Sequence, residues 1–335
     1  MNKGAVFMRT RHFVLITISI FFIIMFTGCG DKKAFLTYDT MSENINSAVS
    51  VSGGSYLYKA VPYSSKVCVI NKEDVGAKTL DKLSASGLLM VDIDDRKMLY
   101  ADGIYDKLYP ASLTKLATAL VCLKYGNMDD NVTVSYTASH ITEPGAKTCY
   151  LQEGDVINFK TLLTSFLVYS GNDAGIALAE HVSGSEKEFV KLMNKEVKAL
   201  GATGTHFTNS HGLHDDKHYT TAYDIYLILN ELAGYDEFLE MASKNEYVAE
   251  FTDASGNKIK KVYDSTIKFL TGEKKLPKGF KILAGKTGTT TAAGNCLTLL
   301  VTGPDSHRYI AVCMKAYSYD SLYSQINELL GMAGK

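Results

Sequence analysis

The chain has 335 residues, 46% hydrophobic and 21% charged, with a formal net charge of −1 at pH 7. That balance supplies a full core and excludes both a disordered polyelectrolyte and a protein held to nucleic acid by a basic surface. Removing Lys3, Arg9 and Arg11 takes the charge to −4, and neither value points to a polyanionic partner.

At the amino terminus Lys3, Arg9, Arg11 and His12 precede an uncharged apolar run from Phe13 to Phe26, which ends in Thr27-Gly28-Cys29. A basic segment, an apolar segment and small residues before a cysteine make residues 1–28 a signal peptide of the lipoprotein type, with Cys29 as the residue to be lipidated. The apolar run is shorter than the roughly 20 residues of a membrane span, so export and processing are preferred. An uncleaved anchor is the alternative, because Phe26 stands where lipoprotein signals usually carry Leu. Either way the rest of the chain is expected outside the cell membrane and anchored to it. Residues 29–83 are polar, rich in Ser, Asn and Lys, with a possible strand only over Lys66–Ile70, and read as a tether. Cys68, Cys122, Cys149, Cys296 and Cys313 are an odd, scattered set that does not read as a disulfide framework. Of these, Cys122 and Cys313 sit in apolar runs and read as core residues.

Gly87–Ile93 and Lys97–Tyr100 are strand-like runs joined at Asp94-Asp95. Pro110-Ala111-Ser112 then opens a helical pattern in which Leu113, Leu116, Ala117, Leu120 and Val121 recur, and which stops at Gly126. Ser112 and Lys115 therefore face together, one turn apart. Phe159–Tyr169 and Asp173–Val182 are two more apolar helical stretches, with Ser170-Gly171-Asn172 in the tight connection between them. Ser185-Glu186-Lys187-Glu188 has the form of a capping box, starting a helix that closes at Gly201. His206, His211, His214 and His218 crowd one loop with Asp215 and Asp216, a density that would suit zinc if three side chains converged. Loop histidines are ordinarily just solvated, and no metal is expected. Lys286-Thr287-Gly288 precedes a hairpin pattern, Leu297–Thr302 and Tyr309–Ala316, around Gly303-Pro304-Asp305-Ser306, and a last helical pattern covers Asp320–Met332. Strands at both ends bracket a helical middle. The expected fold class is α/β of the α+β type: an antiparallel sheet from about 84–108 and 280–335, helices packed on it, and an inserted helical subdomain over about 109–279.

Three motifs in order, Ser112-Leu113-Thr114-Lys115, Ser170-Gly171-Asn172 and Lys286-Thr287-Gly288, describe a serine acyltransferase site without histidine. Ser-x-x-Lys recurs at Ser255-Gly256-Asn257-Lys258 and Ser265-Thr266-Ile267-Lys268. Both read as decoys, the former as a β-turn in a polar cluster. At the first copy a helix N-terminus offers amides and partial positive charge to an oxyanion forming at Ser112. Lys115 must be neutral to act as base. A free lysine titrates near ~10.4, and a second ammonium about 4 Å away costs roughly 4 kcal/mol at an effective dielectric of ~20, about three pKa units. Lys286 is the candidate for that second charge. A hydroxyl at Ser170 can relay a proton to a leaving amine, and the Asn172 amide can orient a substrate carbonyl or the lysine.

These motifs resemble those of penicillin-binding proteins and class A β-lactamases. The stretch from about Ser84 to Met332 resembles more closely the low-molecular-weight penicillin-binding proteins, the serine D-alanyl-D-alanine carboxypeptidases of peptidase family S11. The likeness extends to Tyr109-Pro-Ala-Ser-Leu-Thr-Lys-Leu, Ser170-Gly-Asn-Asp-Ala, Asn209-Ser-His-Gly-Leu213, His218-Tyr-Thr-Thr-Ala222 and Ala292-Ala-Gly-Asn-Cys-Leu297. The resemblance implies the β-lactamase/penicillin-binding-protein transpeptidase-like fold and a catalytic domain over 84–335. It implies that Ser112 attacks the bond between two terminal D-alanines of a peptidoglycan stem peptide while Lys115 takes its proton. Ser170 would relay the proton, Asn172 would hold the substrate amide, and Lys286, Thr287 and Thr289 would hold the terminal carboxylate beside Gly288. The backbone N–H groups of Ser112 and Thr289 would form the oxyanion hole. No cofactor is implied, and β-lactams would be inhibitors. The rivals are a class A-like β-lactamase, D,D-endopeptidase action on crosslinks, and a non-catalytic binding lipoprotein. A class A β-lactamase needs an extra glutamate between the second and third motifs, and Glu180, Glu186, Glu188 and Glu196 all fall in helical patterns. Many relatives carry a further C-terminal β domain and anchoring helix, whereas about 47 residues follow Gly288. Membrane attachment is therefore expected at Cys29.

Overall fold

Apolar runs from the two ends of the chain pair with each other, and that pairing decides where the motifs meet. The computed structural model describes residues 67–69, 75–76 and 83–333; Cys29, the leader and most of the expected tether lie outside the described residues. In chain order the elements are β1 (Gly87–Asp92), β2 (Lys97–Asp102), a 3₁₀ turn (Ala111–Leu113), α1 (Thr114–Tyr125), β3 (Asn131–Thr133), α2 (Tyr136–Ser139) and β4 (Val156–Asn158). There follow α3 (Phe159–Tyr169), α4 (Asn172–Ser183), α5 (Glu186–Ala199), α6 (Ala222–Leu232) and α7 (Asp236–Ala242). Then come β5 (Glu246–Thr252), β6 (Lys258–Asp264), β7 (Lys281–Thr290), β8 (Gly294–Thr302), β9 (Arg308–Ala316) and α8 (Tyr319–Leu330).

The main sheet runs β2-β1-β9-β8-β7, antiparallel throughout. Every residue of β1 is buried, so the strand reads as a continuous apolar run because helices cover both faces. The period-two alternation survives in what each residue touches. Leu89, Val91, Ile310 and Val312 join the core under α1, α3 and α6, while Leu88, Met90, Ala311 and Cys313 pack with Leu322, Ile326 and Leu329 of α8. Helix ends follow local chemistry. Ser185 caps α5 by accepting from the Glu188 amide, and Ser318 caps α8 by accepting from that of Ser321.

The α+β expectation matches this arrangement, with two differences. The middle of the chain carries a second sheet, β3-β4-β5-β6, beside its helices. Two of those strands are only three residues long, and the outer face of β5 and β6 is charged, with Glu246, Glu250, Lys258 and Lys260 exposed. No apolar alternation therefore marks them. Ser255 falls in the turn of the β5–β6 hairpin, where the Asp253 carboxylate accepts from the Ser255 and Asn257 amides. The second difference lies near the start. Val67–Val69, within the strand expected over 66–70, are irregular. They pack on α6 instead: Val67 and Cys68 are buried, the Cys68 amide donates to the Tyr226 hydroxyl, and Tyr223 donates to the Cys68 carbonyl. The five described cysteines are buried free thiols. Among the described residues no helix is long and apolar enough to cross a membrane.

Candidate active site

Pro110 sets the backbone for the 3₁₀ turn that holds Ser112, and α1 takes over at Thr114. Lys115 follows in the first turn of α1, and its Nζ donates to the Ser112 Oγ at 3.1 Å. The ammonium is fully buried and has two further acceptors, the Asn172 Oδ1 at 2.6 Å and the His211 carbonyl. Burial lowers its pKa to about 7. The expectation that Lys286 supplies the main push is thereby corrected: loss of hydration is the larger cause, and the nearby Lys147 adds to it.

Ser170 caps α3 in the left-handed region, at φ 72, a conformation that is uncommon outside glycine. That turn aims its hydroxyl at the third motif, where it accepts from the Lys286 Nζ at 2.9 Å. Lys286 also donates to the Thr287 carbonyl at 3.1 Å. It is held well below the ordinary lysine range, first by burial and then by the charges of Lys115 and Lys147. Asn172 opens α4, and its amide donates to the Lys147 carbonyl at 2.7 Å. Beside it the buried Asp173 accepts from the Cys149 and Leu151 amides, clamping that loop to the second motif.

Strand β7 reaches the serine because Gly288 lacks a side chain. A Cβ there would stand 2.8 Å from the Pro110 carbonyl, 3.0 Å from the Ser112 nitrogen and 3.1 Å from the Leu113 nitrogen. Gly212, at φ +91, presses in the same way against the Ala111 carbonyl. Thr287 donates to the Thr266 Oγ1 at 2.6 Å, and Thr289 lies 3.1 Å from the Tyr319 hydroxyl. Ser112, Asn172 and Thr289 line an open cleft of about 600 Å³ with Glu143, Lys147 and His214.

The expected residues of the three motifs thus converge; Cys29, the expected lipidation residue, lies outside the described residues. Sequence reasoning missed Lys147, Glu143 and Thr266. Loop charges carry no periodic signal, and Thr266 sits inside the Ser-x-x-Lys copy set aside as a decoy; it supports the third motif. The four loop histidines do not share a centre. His206 engages the Lys217 carbonyl, His211 faces Glu186, His214 faces Asp216, and His218 bonds Thr114. Burial lowers His211 to about 3 and His218 to about 4, so both are neutral struts against α1 at neutral pH. The four helical glutamates are engaged elsewhere: Glu180 with Ser135, Glu186 with Ser210, Glu188 with Lys191 and Glu196 with Lys124. None of these lines the cleft.

A serine on a helix-initiating turn, a buried lysine whose pKa is about 7, and a second serine and lysine joined at a sheet edge stand together on the penicillin-recognising fold. The family model of D-alanyl-D-alanine carboxypeptidases, Peptidase_S11, matches residues 74–318, and the chain belongs to that family. It is 33% identical over 256 residues to the D-alanyl-D-alanine carboxypeptidase DacF of Bacillus subtilis, covering 74% of this chain and 62% of the relative. With DacC of Escherichia coli the identity is 31% over 287 residues, covering 83% and 66%. The chain therefore spans less than two thirds of the length of these relatives. A D-alanyl-D-alanine endopeptidase of Escherichia coli is 27% identical, covering 72% of this chain and 75% of that one. Among solved structures, the Streptomyces K15 DD-transpeptidase superposes with a TM-score of 0.69 at 23% identity, covering 75% of this chain and 97% of that one. The cefotaxime-bound penicillin-binding protein D2 of Listeria monocytogenes gives 0.62 at 25%, covering 76% and 98%.

Proposed function

We propose that the chain is a serine D,D-carboxypeptidase that removes the terminal D-alanine from peptidoglycan stem peptides. The observation that carries this reading is the buried Lys115 ammonium, 3.1 Å from the Ser112 hydroxyl and titrating at about 7. At neutral pH about half of the Lys115 population is neutral, so it can take the Ser112 proton as the Oγ attacks the carbonyl of the penultimate D-alanine. The backbone N–H groups of Ser112 and Thr289 receive the oxyanion, and the close packing of Gly288 against the serine turn supports that pairing. Ser170 passes a proton to the departing amine, and water then releases the shortened peptide from Ser112.

Lys286, with Thr287 and Thr289, holds the terminal carboxylate. In the empty cleft burial disfavours its charge, and an arriving carboxylate reverses that balance. Asn172 holds Lys115 and an amide of the acyl portion. β-Lactams acylate Ser112. In the same reading residues 1–28 are a leader, Cys29 carries the lipid, and the catalytic domain works outside the cell membrane. D,D-endopeptidase action on crosslinks is a second reading, supported by the likeness to the Escherichia coli endopeptidase.

The test is intact-mass spectrometry of the protein lacking only its leader, after minutes and after hours with benzylpenicillin, beside Ser112→Ala. A lasting adduct absent from the variant is expected. Drug hydrolysis without an adduct would indicate a β-lactamase. An intact drug with no adduct would leave a binding protein.

A further inference from the structure

The main sheet ends, on the side away from the three motifs, in two turns that meet. Thr289 pairs with Asn295 and Asn295 with Ala316 at one end of the sheet, whereas Asp92 pairs with Tyr309 at the other. There the β1–β2 turn brings Asp92 and Asp95 to His307 of the β8–β9 turn, and one donor atom from each lies within 4.8 Å of the other two. Asp92 is buried, only 5% exposed. Its Oδ1 accepts from the Asp94 and Asp95 amides, which leaves Oδ2 facing the His307 Nδ1 at 2.8 Å. The same nitrogen stands 3.9 Å from the Asp95 Oδ2. Among the described residues nothing donates a hydrogen bond to the Asp95 carboxylate. The neighbouring acids are already engaged: Asp94 pairs with Arg308 at 2.6 Å, and Asp305 accepts from the Tyr309 hydroxyl and the His307 amide.

We propose that Asp92, Asp95 and His307 bind one divalent transition-metal ion of the zinc class, which staples the first hairpin of the chain to the last. Ligand atoms around a tetrahedral zinc ion with bonds of about 2.1 Å stand about 3.4 Å apart. The spacings of 2.8 Å and 3.9 Å bracket that value. Two carboxylates and a neutral imidazole balance the charge of the ion, and water completes its shell. His307 gives its Nδ1 proton to solvent as the metal takes its place. Calcium and magnesium, which take six or more ligands and prefer oxygen, fit this donor set poorly. The ion is structural. It sits at the end of the sheet opposite Thr289 and takes no part in acyl transfer.

The test titrates zinc chloride alone, by isothermal calorimetry, into the protein lacking only its leader and stripped of metal, beside His307→Ala and Asp95→Asn. Both side chains are partly exposed, so neither change opens the core. The unaltered protein should bind one more zinc per chain than either variant. That site should weaken at least about 10- to 100-fold in both, since even an outer-shell partner is worth that much. Zinc at a hundredfold excess over its dissociation constant should raise thermal unfolding of the unaltered protein by about 5–10 °C. The variants should not shift, nor should the unaltered protein with calcium or magnesium. Acylation of Ser112 by penicillin should be the same in all three proteins, with or without zinc. No zinc uptake, or uptake that both variants keep, overturns the site, leaves Asp92 and His307 as an ion pair and does not touch the carboxypeptidase reading. Acylation that depends on zinc overturns the purely structural role.

Discussion

Replacing Asn172 by Asp changes one atom of the site and puts a carboxylate where the amide oxygen now accepts from Lys115 at 2.6 Å. Taken at about 4 Å and an effective dielectric of ~20, a pair of opposite charges gains about 4 kcal/mol, or about three pKa units. That would move Lys115 from about 7 to about 10. Only the neutral lysine can accept the Ser112 proton, so activity rises with pH through the lysine pKa. In Asn172→Asp at pH 7 the neutral fraction falls from about one half to about one in a thousand, a loss of about 500-fold. At pH 10 the variant recovers to within about tenfold. The assay is the rate of acylation by a fluorescent penicillin between pH 5 and 10.5, with Ser112→Ala as the blank. A uniform loss at every pH, with the rise still centred near 7, would refute the reasoning and leave Asn172 as a substrate contact only.

Three further outcomes are expected. Lys286→Gln should raise KM about 10- to 100-fold for peptides ending in a free carboxylate, with little effect on the same peptides amidated at that end. It should also leave the rise in acylation near pH 7, because burial sets the Lys115 pKa; a rise displaced toward 10 would restore Lys286 as the cause. Ser170→Gly relieves a left-handed serine worth about 1 kcal/mol but removes the acceptor of Lys286 and frees the unfolded chain, so thermal unfolding should shift slightly downward while D-alanine release falls. An unchanged turnover would remove Ser170 from the proton path. Gly288→Ala sets a methyl against three backbone atoms of the serine turn and should slow acylation about 100-fold, with a stability cost of about 1–3 kcal/mol. Acylation at the unaltered rate would mean that β7 need not lie so close.

Much of the site could be read before the fold was seen, because the serine, lysine and asparagine positions are local. Ser112 and Lys115 are one helical turn apart, and Ser170 and Asn172 bracket a glycine between two apolar helices whose periods are plain. What could not be read was distance across the chain. The cause of the Lys115 shift was misassigned because a lysine's burial depends on helices α3 to α5, whose packing no local period reveals. Lys147 escaped notice since a lysine in the Pro144-Gly145-Ala146 loop looks merely solvated in sequence. The strands β3 to β6 were hidden by brevity and by charge on their outer face. The cluster His206–His218 was expected to be solvated rather than to hold an ion; in the fold each ring meets a separate backbone or side-chain neighbour.

The strand order β2-β1-β9-β8-β7 has a consequence for when this chemistry can begin. Lys286 and Gly288 ride on β7, which joins the first strand only through β8 and β9. While β9 is still missing, a growing chain possesses Ser112 and Lys115 but has no wall to close over them. Pairings of such long range also form late in folding. The order of the strands therefore works as an interlock: the wall that Lys286 and Gly288 supply is fixed to the first strand only after residue 316 is available to pair.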